Sequence, residues 1–281
     1  MIREVINKLI ARAFEEDIGD GDHTSLSCIP PASEGKAELL VKDNGIIAGL
    51  EVAEMVFKYA DPGLSVNCFL RDGDRVKKGD IAFEVQGKQQ SLLRAERLVL
   101  NILQRMSGIA TETRRYADEL KDFKTRVLDT RKTTPGFRIL EKEAVRIGGG
   151  VNHRMGLYDM IMLKDNHIDF AGGIKEAISR ARSYLAKTGK DLKIEIEARS
   201  MEEVREILSI GGVDRIMLDN FTPSQTLEAV NLIRGRFETE SSGGITFDTL
   251  REYAACGVDF ISVGALTHQV KSLDLSLKAV K

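Results

Sequence analysis

The chain has 281 residues and a mass of 31.1 kDa, enough for one large α/β barrel or two domains and too much for a mini-protein. Its 41 Lys and Arg balance 43 Asp and Glu to a net charge of −2, which excludes a global basic field that would draw it to nucleic acid or anionic lipid. A content of 42% hydrophobic and 30% charged residues excludes a disordered or fibrous chain.

Ile2, Val5, Ile6, Leu9, Ile10 and Ala13 recur at three and four residues with Glu4, Glu15 and Glu16 between them, which predicts an amphipathic first helix and argues against a signal or transit peptide. The loop Asp17–Thr24 carries carboxylates and glycines at a spacing that invites calcium. It lacks the twelfth-position Glu and a following helix, and reads as a capping or interdomain turn. Ala37–Lys42 and Asn44–Ala48 read as strands, Val52–Tyr59 as a helix, and Val66–Leu70 and Ile81–Val85 as further strands. Within this α+β half, Asp72–Asp80 resembles the turn of biotinyl and lipoyl carriers. Gly87-Lys88-Gln89-Gln90, however, runs straight into a helix, leaving no hairpin tip for a modified lysine. Leu92–Ile109 keeps helical spacing with Glu96-Arg97 embedded in it.

Beyond Lys124 short apolar runs alternate with helical stretches. Strands are expected at 126–128, 160–163, 192–196, 215–218 and 260–263, and helices around 174–185, 204–208 and 227–233. Thr222-Pro223 marks one helix start and Thr246 precedes another. Repeated strand-helix units imply a parallel sheet, and six or seven strands at this length point to a closed or incomplete barrel. No apolar run approaches the roughly 18 residues that span a bilayer. Cys28, Cys68 and Cys256, odd in number and scattered, read as buried thiols of a cytoplasmic protein, neither a disulfide framework nor a metal motif.

Barrel chemistry sits at the C-terminal ends of the strands. The residues taken to follow the strands are Arg131-Lys132, Lys164-Asp165, Glu197, Asp219-Asn220, Glu240–Gly244 and Gly264–His268, and their anchors are 33, 33, 22, 21 and 24 residues apart, about one strand-helix unit each. They are sorted by charge. Arg131, Lys132, Arg138, His153, Arg154 and Lys164 come early, and Glu197, Asp219 and Glu240 late. Cations crowded round one mouth repel one another unless a polyanion neutralises them, so the ligand is expected to be a dianion or more. The carboxylates suit ribose hydroxyls or Mg²⁺ on a diphosphate. The glycine-rich turns at Ser241–Gly244 and Gly264–Thr267 occupy the place where barrels bind phosphate through backbone N–H groups. Two chemistries fit: a Schiff-base aldolase using Lys132 or Lys164, or glycosyl transfer from a ribose diphosphate, which needs positioning and charge stabilisation but no protein nucleophile.

Leu128–Arg138, Glu141-Lys142, Ala144-Val145, Gly148–Arg154 and Lys164–His167 closely resemble the quinolinate phosphoribosyltransferase family, also called carboxylating nicotinate-nucleotide pyrophosphorylases. The likeness continues through Glu16–Asp22, Ala95–Arg97, Ser107–Ala110, Glu195–Glu197, Leu218–Asn220, Glu240–Gly244 and Val263–His268. The resemblance implies that quinolinate and phosphoribosyl diphosphate give nicotinate mononucleotide, diphosphate and CO₂, in the route to NAD. It implies an α/β chain with an N-terminal α+β sandwich, hammerhead-like, over residues 1–110 and an incomplete TIM-like barrel over 111–270, with a C-terminal helix over 271–281 packing back on the first domain. It also implies a homodimer whose N-terminal domains cover the partner's barrel. In that setting Arg131, His153, Arg154 and Lys164 would grip the quinolinate carboxylates, with Arg97 reaching in from the partner. Lys132 would contact the diphosphate or ribosyl phosphate, and Glu197 and Asp219 the ribose hydroxyls and Mg²⁺. Ser242, Gly243, Gly244, Gly264 and His268 would hold the 5′-phosphate, with Gln269 standing where a serine is common. His167 with Asn166 reads as scaffold. A homologue acting on another acid, of the molybdenum-associated type, would share the same barrel.

Overall fold

The computed structural model describes residues 2–280. Helix α1 (Ile2–Ile18) buries Ile6, Ile10 and Phe14, one residue per turn, and α2 (His23–Cys28) follows after the Asp17–Thr24 loop. Asp22 caps α2, its side chain accepting the Ser25 N–H, so the loop does work as a cap, although the helix after it was not expected. The chain continues through β1 (Glu34–Val41), β2 (Gly45–Ile46), α3 (Leu50–Ala60), β3 (Ser65–Cys68), β4 (Arg75–Val76), β5 (Ile81–Lys88), α4 (Gln89–Glu119), β6 (Arg126–Leu128) and α5 (Arg138–Gly148). Next come β7 (Ile161–Leu163), α6 (Asp165–Ala171), α7 (Ile174–Thr188), β8 (Ile194–Ala198), α8 (Met201–Ile210), β9 (Arg215–Asp219), α9 (Pro223–Ile233) and β10 (Glu238–Ser242). The chain ends with α10 (Leu250–Ala255), β11 (Phe260–Ser262), α11 (Ala265–His268) and β12 (Leu275–Val280).

Two compact units share these elements. The first comprises the chain up to Arg114, Thr133–Gly149 and the residues from Ala265 onward. Its antiparallel sheet has the order β12-β1-β5-β3, with β2 and β4 paired separately. Alternate residues Ala37, Leu39 and Val41 of β1 face the core, as period two requires. They join Phe57 and Phe83, whose rings meet edge to face at 5.8 Å. Helix α4, at 31 residues, is longer than expected and runs through position 110 without a break, so no linker lies there. Its buried stripe of Ala95, Val99, Ile102, Met106, Ile109 and Ala110 keeps helical spacing.

The segment expected as a C-terminal helix is a strand. Leu273, Leu275 and Leu277 alternate with more exposed residues, a period that suits a sheet face and not a helix. β12 pairs with β1, Leu277 opposite Leu39. Gln104 receives it from α4: its carbonyl accepts the Leu273 N–H and its side chain donates to the Leu275 carbonyl. Gly108 permits this approach, because a Cβ there would lie 3.0 Å from Ser272 Cα.

The second unit, Arg115–Lys132 and Gly150–Gly264, is a six-stranded parallel sheet of order β6-β11-β10-β9-β8-β7 with helices between successive strands. β6 and β7 stand at opposite ends of that order, so the barrel is incomplete; Val151 adds a single parallel bridge to Leu128. All five residues of β8 are buried. Thr222 caps α9 reciprocally with Gln225 and is followed by Pro223 at the first helical position, as the sequence indicates. Of the cysteines, only Cys256 is buried; Cys28 and Cys68 are exposed, contrary to expectation. No helix among the described residues is long and apolar enough to cross a membrane.

Candidate active site

Polar side chains of the second unit form two tiers, one at the C-terminal ends of its strands and one within the strands. The upper tier begins with the loop after β6, which carries Arg131 and Lys132, both exposed, with the Lys132 N–H donating to Thr130 Oγ1 at 3.1 Å. Just before them, buried Asp129 accepts the His153 N–H at 2.8 Å and donates its own N–H to the Val151 carbonyl. That tie brings His153 and Arg154, buried themselves, to the open edge of the sheet.

Lys164 follows β7, and its ammonium is ion-paired with Glu197 of β8. Lys164 N–H donates to His167 Nδ1 at 3.0 Å, so His167 caps α6, a scaffold role as expected. Asp219 ends β9 and accepts from the Asn220 side chain at 2.8 Å. Asn220 takes a left-handed φ of 58° and donates its backbone N–H to the Ser242 carbonyl across the strands. Gly243 and Gly244 follow β10 at φ 98° and 62°. A Cβ on Gly243 would collide with the Asn220 side chain and lie 2.9 Å from its backbone nitrogen, so both conformation and space require glycine. Gly264 follows β11.

The electrostatics of this tier follow from crowding. The Arg154 guanidinium is held below its usual range first by burial and then by the charge of Arg131. Asp219 is pushed up by burial and by the Glu197 carboxylate, against the pull of Asn220 and Lys164. Like charges are therefore gathered at both flanks, cations near Arg154 and carboxylates near Asp219.

The lower tier was not anticipated as such. Glu195 and Glu197 stand two apart in β8, hence on one face. Glu240, expected beyond its strand, lies within β10 and is fully buried, and Glu197 likewise lies inside β8. His153 Nε2 is 3.0 Å from Glu195 Oε2 and 3.5 Å from Glu240 Oε2, and Arg215 Nη1 lies 3.0 Å from Glu240 Oε2. Burial and the neighbouring Glu195 push Glu240 up to about 8, and burial raises Glu195 as well. His153, Glu195 and Glu240 together have the donors of a metal site. Arg215 already supplies their cation, so the chemistry of the donor set does not call for one.

The remaining expected residues lie in the first unit. Arg97 is exposed on α4, with no ion-pair or hydrogen-bond partner among the described residues. Arg138 opens α5 and donates to Thr133, and His268 is exposed at the end of α11.

Comparison with known proteins agrees with this geometry. The family models for the quinolinate phosphoribosyl transferase N-terminal and C-terminal domains match residues 22–107 and 109–278. A Nicotiana tabacum quinolinate phosphoribosyltransferase [decarboxylating] is 47% identical over 96% of this chain and 81% of its own length. A Bacillus subtilis protein named probable nicotinate-nucleotide pyrophosphorylase [carboxylating] is 45% identical over 97% of this chain and 92% of its own. The crystal structure of NadC from Streptococcus pyogenes superposes with a TM-score of 0.92 at 40% identity, covering 98% of this chain and 97% of that one. Lys164, read in the sequence as a possible Schiff-base nucleophile, is engaged instead by Glu197. The chain belongs to the quinolinate phosphoribosyltransferase family.

Proposed function

We propose a division of labour among this chain's residues in the reaction of its family, a type II phosphoribosyltransferase that joins quinolinate to the phosphoribosyl group of 5-phosphoribosyl 1-diphosphate with loss of diphosphate and CO₂. The product is nicotinate mononucleotide, in NAD biosynthesis. The observation that carries the assignment is the pair of guanidiniums, Arg131 and Arg154, close enough for one to depress the other. Two such cations are stable together when a dianion lies between them, and their planar forks match carboxylates. Arg131, Arg154 and Lys164 hold the two quinolinate carboxylates. The His153 ring accepts the Arg154 backbone N–H. Lys132 faces the diphosphate or ribosyl phosphate, and the Ser242-Gly243-Gly244 turn, with Gly264, takes the 5′-phosphate.

Departure of diphosphate builds positive charge at C1′ of the ribose. Glu197 and Asp219 stabilise that charge and hold the ribose hydroxyls, an electrostatic contribution that costs no reorganisation when the groups are fixed beforehand. Asp219, crowded by the Glu197 charge, has the oxygen donors that suit Mg²⁺, with Glu197 beside it. When bound there on the diphosphate, the ion would neutralise leaving-group charge. The pyridine nitrogen bonds to C1′ as the C–O bond to diphosphate breaks. With that nitrogen quaternary, the C2 carboxylate leaves as CO₂, its bonding pair stays on C2, and a proton then takes its place. Excluding water favours this step, because separated charges are neutralised in it.

The same reading makes the protein a homodimer in the cytoplasm that shares its sites. The exposed Arg97, without a partner among the described residues, supports sharing, and two exposed free thiols suit a reducing compartment. A homologue specific for a different acid has no observation in its favour here. Calorimetric titration with quinolinate and with nicotinate tests the assignment. Quinolinate should bind at least tenfold more tightly to the wild type and lose that advantage in Arg154→Ala; equal affinity for the two acids would contradict it.

A further inference from the structure

We infer that Glu195, buried beside Arg215 and Glu240, is a positioning residue for quinolinate and acts through the His153 ring on Arg154. The inference rests on the reading that Arg154 holds a substrate carboxylate.

The geometry runs in one line through the barrel interior. Arg215, low on β9, reaches Glu240 Oε2 at 3.0 Å and lies 3.8 Å from Glu195 Oε2. Its own charge is costly in so buried a place, and the two carboxylates compensate for it. Both Glu195 oxygens and His153 Nε2 are buried, and none of the three meets a well-aligned hydrogen-bond partner. A buried carboxylate oxygen needs a donor; His153 Nε2 lies 3.0 Å from Glu195 Oε2, and the Glu240 carboxyl is the other group that bears on Glu195. On the other side of the ring, Nδ1 accepts the backbone N–H of Arg154 at 2.7 Å. A nitrogen that accepts carries no proton, so the ring's proton sits on Nε2, facing Glu195. His153 is thereby held at Nδ1 and faces Glu195 at Nε2, and its backbone N–H is fixed by Asp129. The peptide N–H from which the Arg154 side chain departs is thus held by a ring that Glu195 orients. Both His153 nitrogens face protein groups, so the ring supports the cation that meets substrate and need not meet it itself.

A role confined to packing would move every kinetic parameter, or only stability; a positioning role moves one. The structure predicts that Glu195→Ala raises KM for quinolinate about tenfold, with kcat and KM for phosphoribosyl diphosphate changed by less than threefold, because a single close contact between carboxylate and ring is lost. Glu195→Gln keeps an oxygen that faces Nε2–H and should recover most of that KM. A uniform fall in all three parameters, or an unchanged KM for quinolinate, overturns the inference. Since Glu195→Ala leaves a buried hole, a second measurement uses the intact protein. In ¹⁵N-histidine spectra at pH 7, the His153 signals, assigned as those lost in His153→Gln, should show a protonated Nε2 and a bare Nδ1. A proton on Nδ1, in either the neutral or the doubly protonated ring, overturns it. Arg154→Lys separates the two readings: if it leaves KM for quinolinate untouched, the carboxylate role of Arg154 fails while the ring's tautomer stands on its own spectrum.

Discussion

Replacing Glu240 by Gln should change how the stability of the chain responds to pH, and the sign follows from the burial of the carboxyl. Glu240 rises from an ordinary 4.5 to about 8, so the folded chain keeps a proton that the unfolded chain gives up. Below about pH 4.5 both states are protonated and wild type has its full advantage. From there to about pH 8 only the unfolded state releases the proton, and wild type loses stability relative to Glu240→Gln by about 1.4 kcal/mol per pH unit. Above about pH 8 both states are ionised and the difference levels off. The cumulative change is at most on the order of 5 kcal/mol, an upper bound because Glu195 and Arg215 share the charge. Denaturant midpoints of the two proteins from pH 5 to pH 9 measure it. A difference that stays flat over pH 5 to 8, or that moves in favour of wild type as pH rises, refutes the burial argument.

Three further outcomes are expected. Arg131→Ala should abolish turnover with little effect on the denaturation midpoint, since Arg131 is exposed while its loss removes about 2–5 kcal/mol of carboxylate binding; full activity would contradict its place in the site. Gly243→Ala, forced against Asn220 at a left-handed φ of 98°, should raise KM for phosphoribosyl diphosphate by at least tenfold, and Asn220→Gly in the same chain should relieve part of the collision. Mixed dimers of Arg97→Ala and Arg131→Ala chains should regain partial activity if each site draws Arg97 from the partner, whereas proven heterodimers without activity would mean self-contained sites.

Much of the second unit was legible because β-branched runs alternate with capped helices. Thr222-Pro223 is a helix start in the sequence and in the structure, where Gln225 completes the cap, and the strand ends at Lys164 and Asp219 lie where spacing places them. Misreadings have local causes. Leu273, Leu275 and Leu277 alternate at period two, but the segment is short, and its partner β1 lies more than 230 residues earlier in the chain; long-range pairing leaves no local mark. The lower tier is not marked in the sequence, where Glu240 reads as a strand-end charge and Glu195 and Arg215 fall within expected strands. Only the strand register, which sets Glu195 beside Arg215 and Arg215 beside Glu238, turns them into one buried cluster. The period-two spacing of Glu195 and Glu197 was the available signal. Cys28 and Cys68 were read as buried from residue type alone, yet they occupy a short surface helix and an edge strand.

The product stoichiometry of a single turnover tests the central claim most directly. With phosphoribosyl diphosphate and quinolinate labelled in the 2-carboxyl group, the chain should release labelled CO₂ and diphosphate in equal amounts and leave nicotinate mononucleotide, while nicotinate in place of quinolinate should release neither. Diphosphate release with nicotinate, or turnover of quinolinate that retains the labelled carboxyl, would contradict the account.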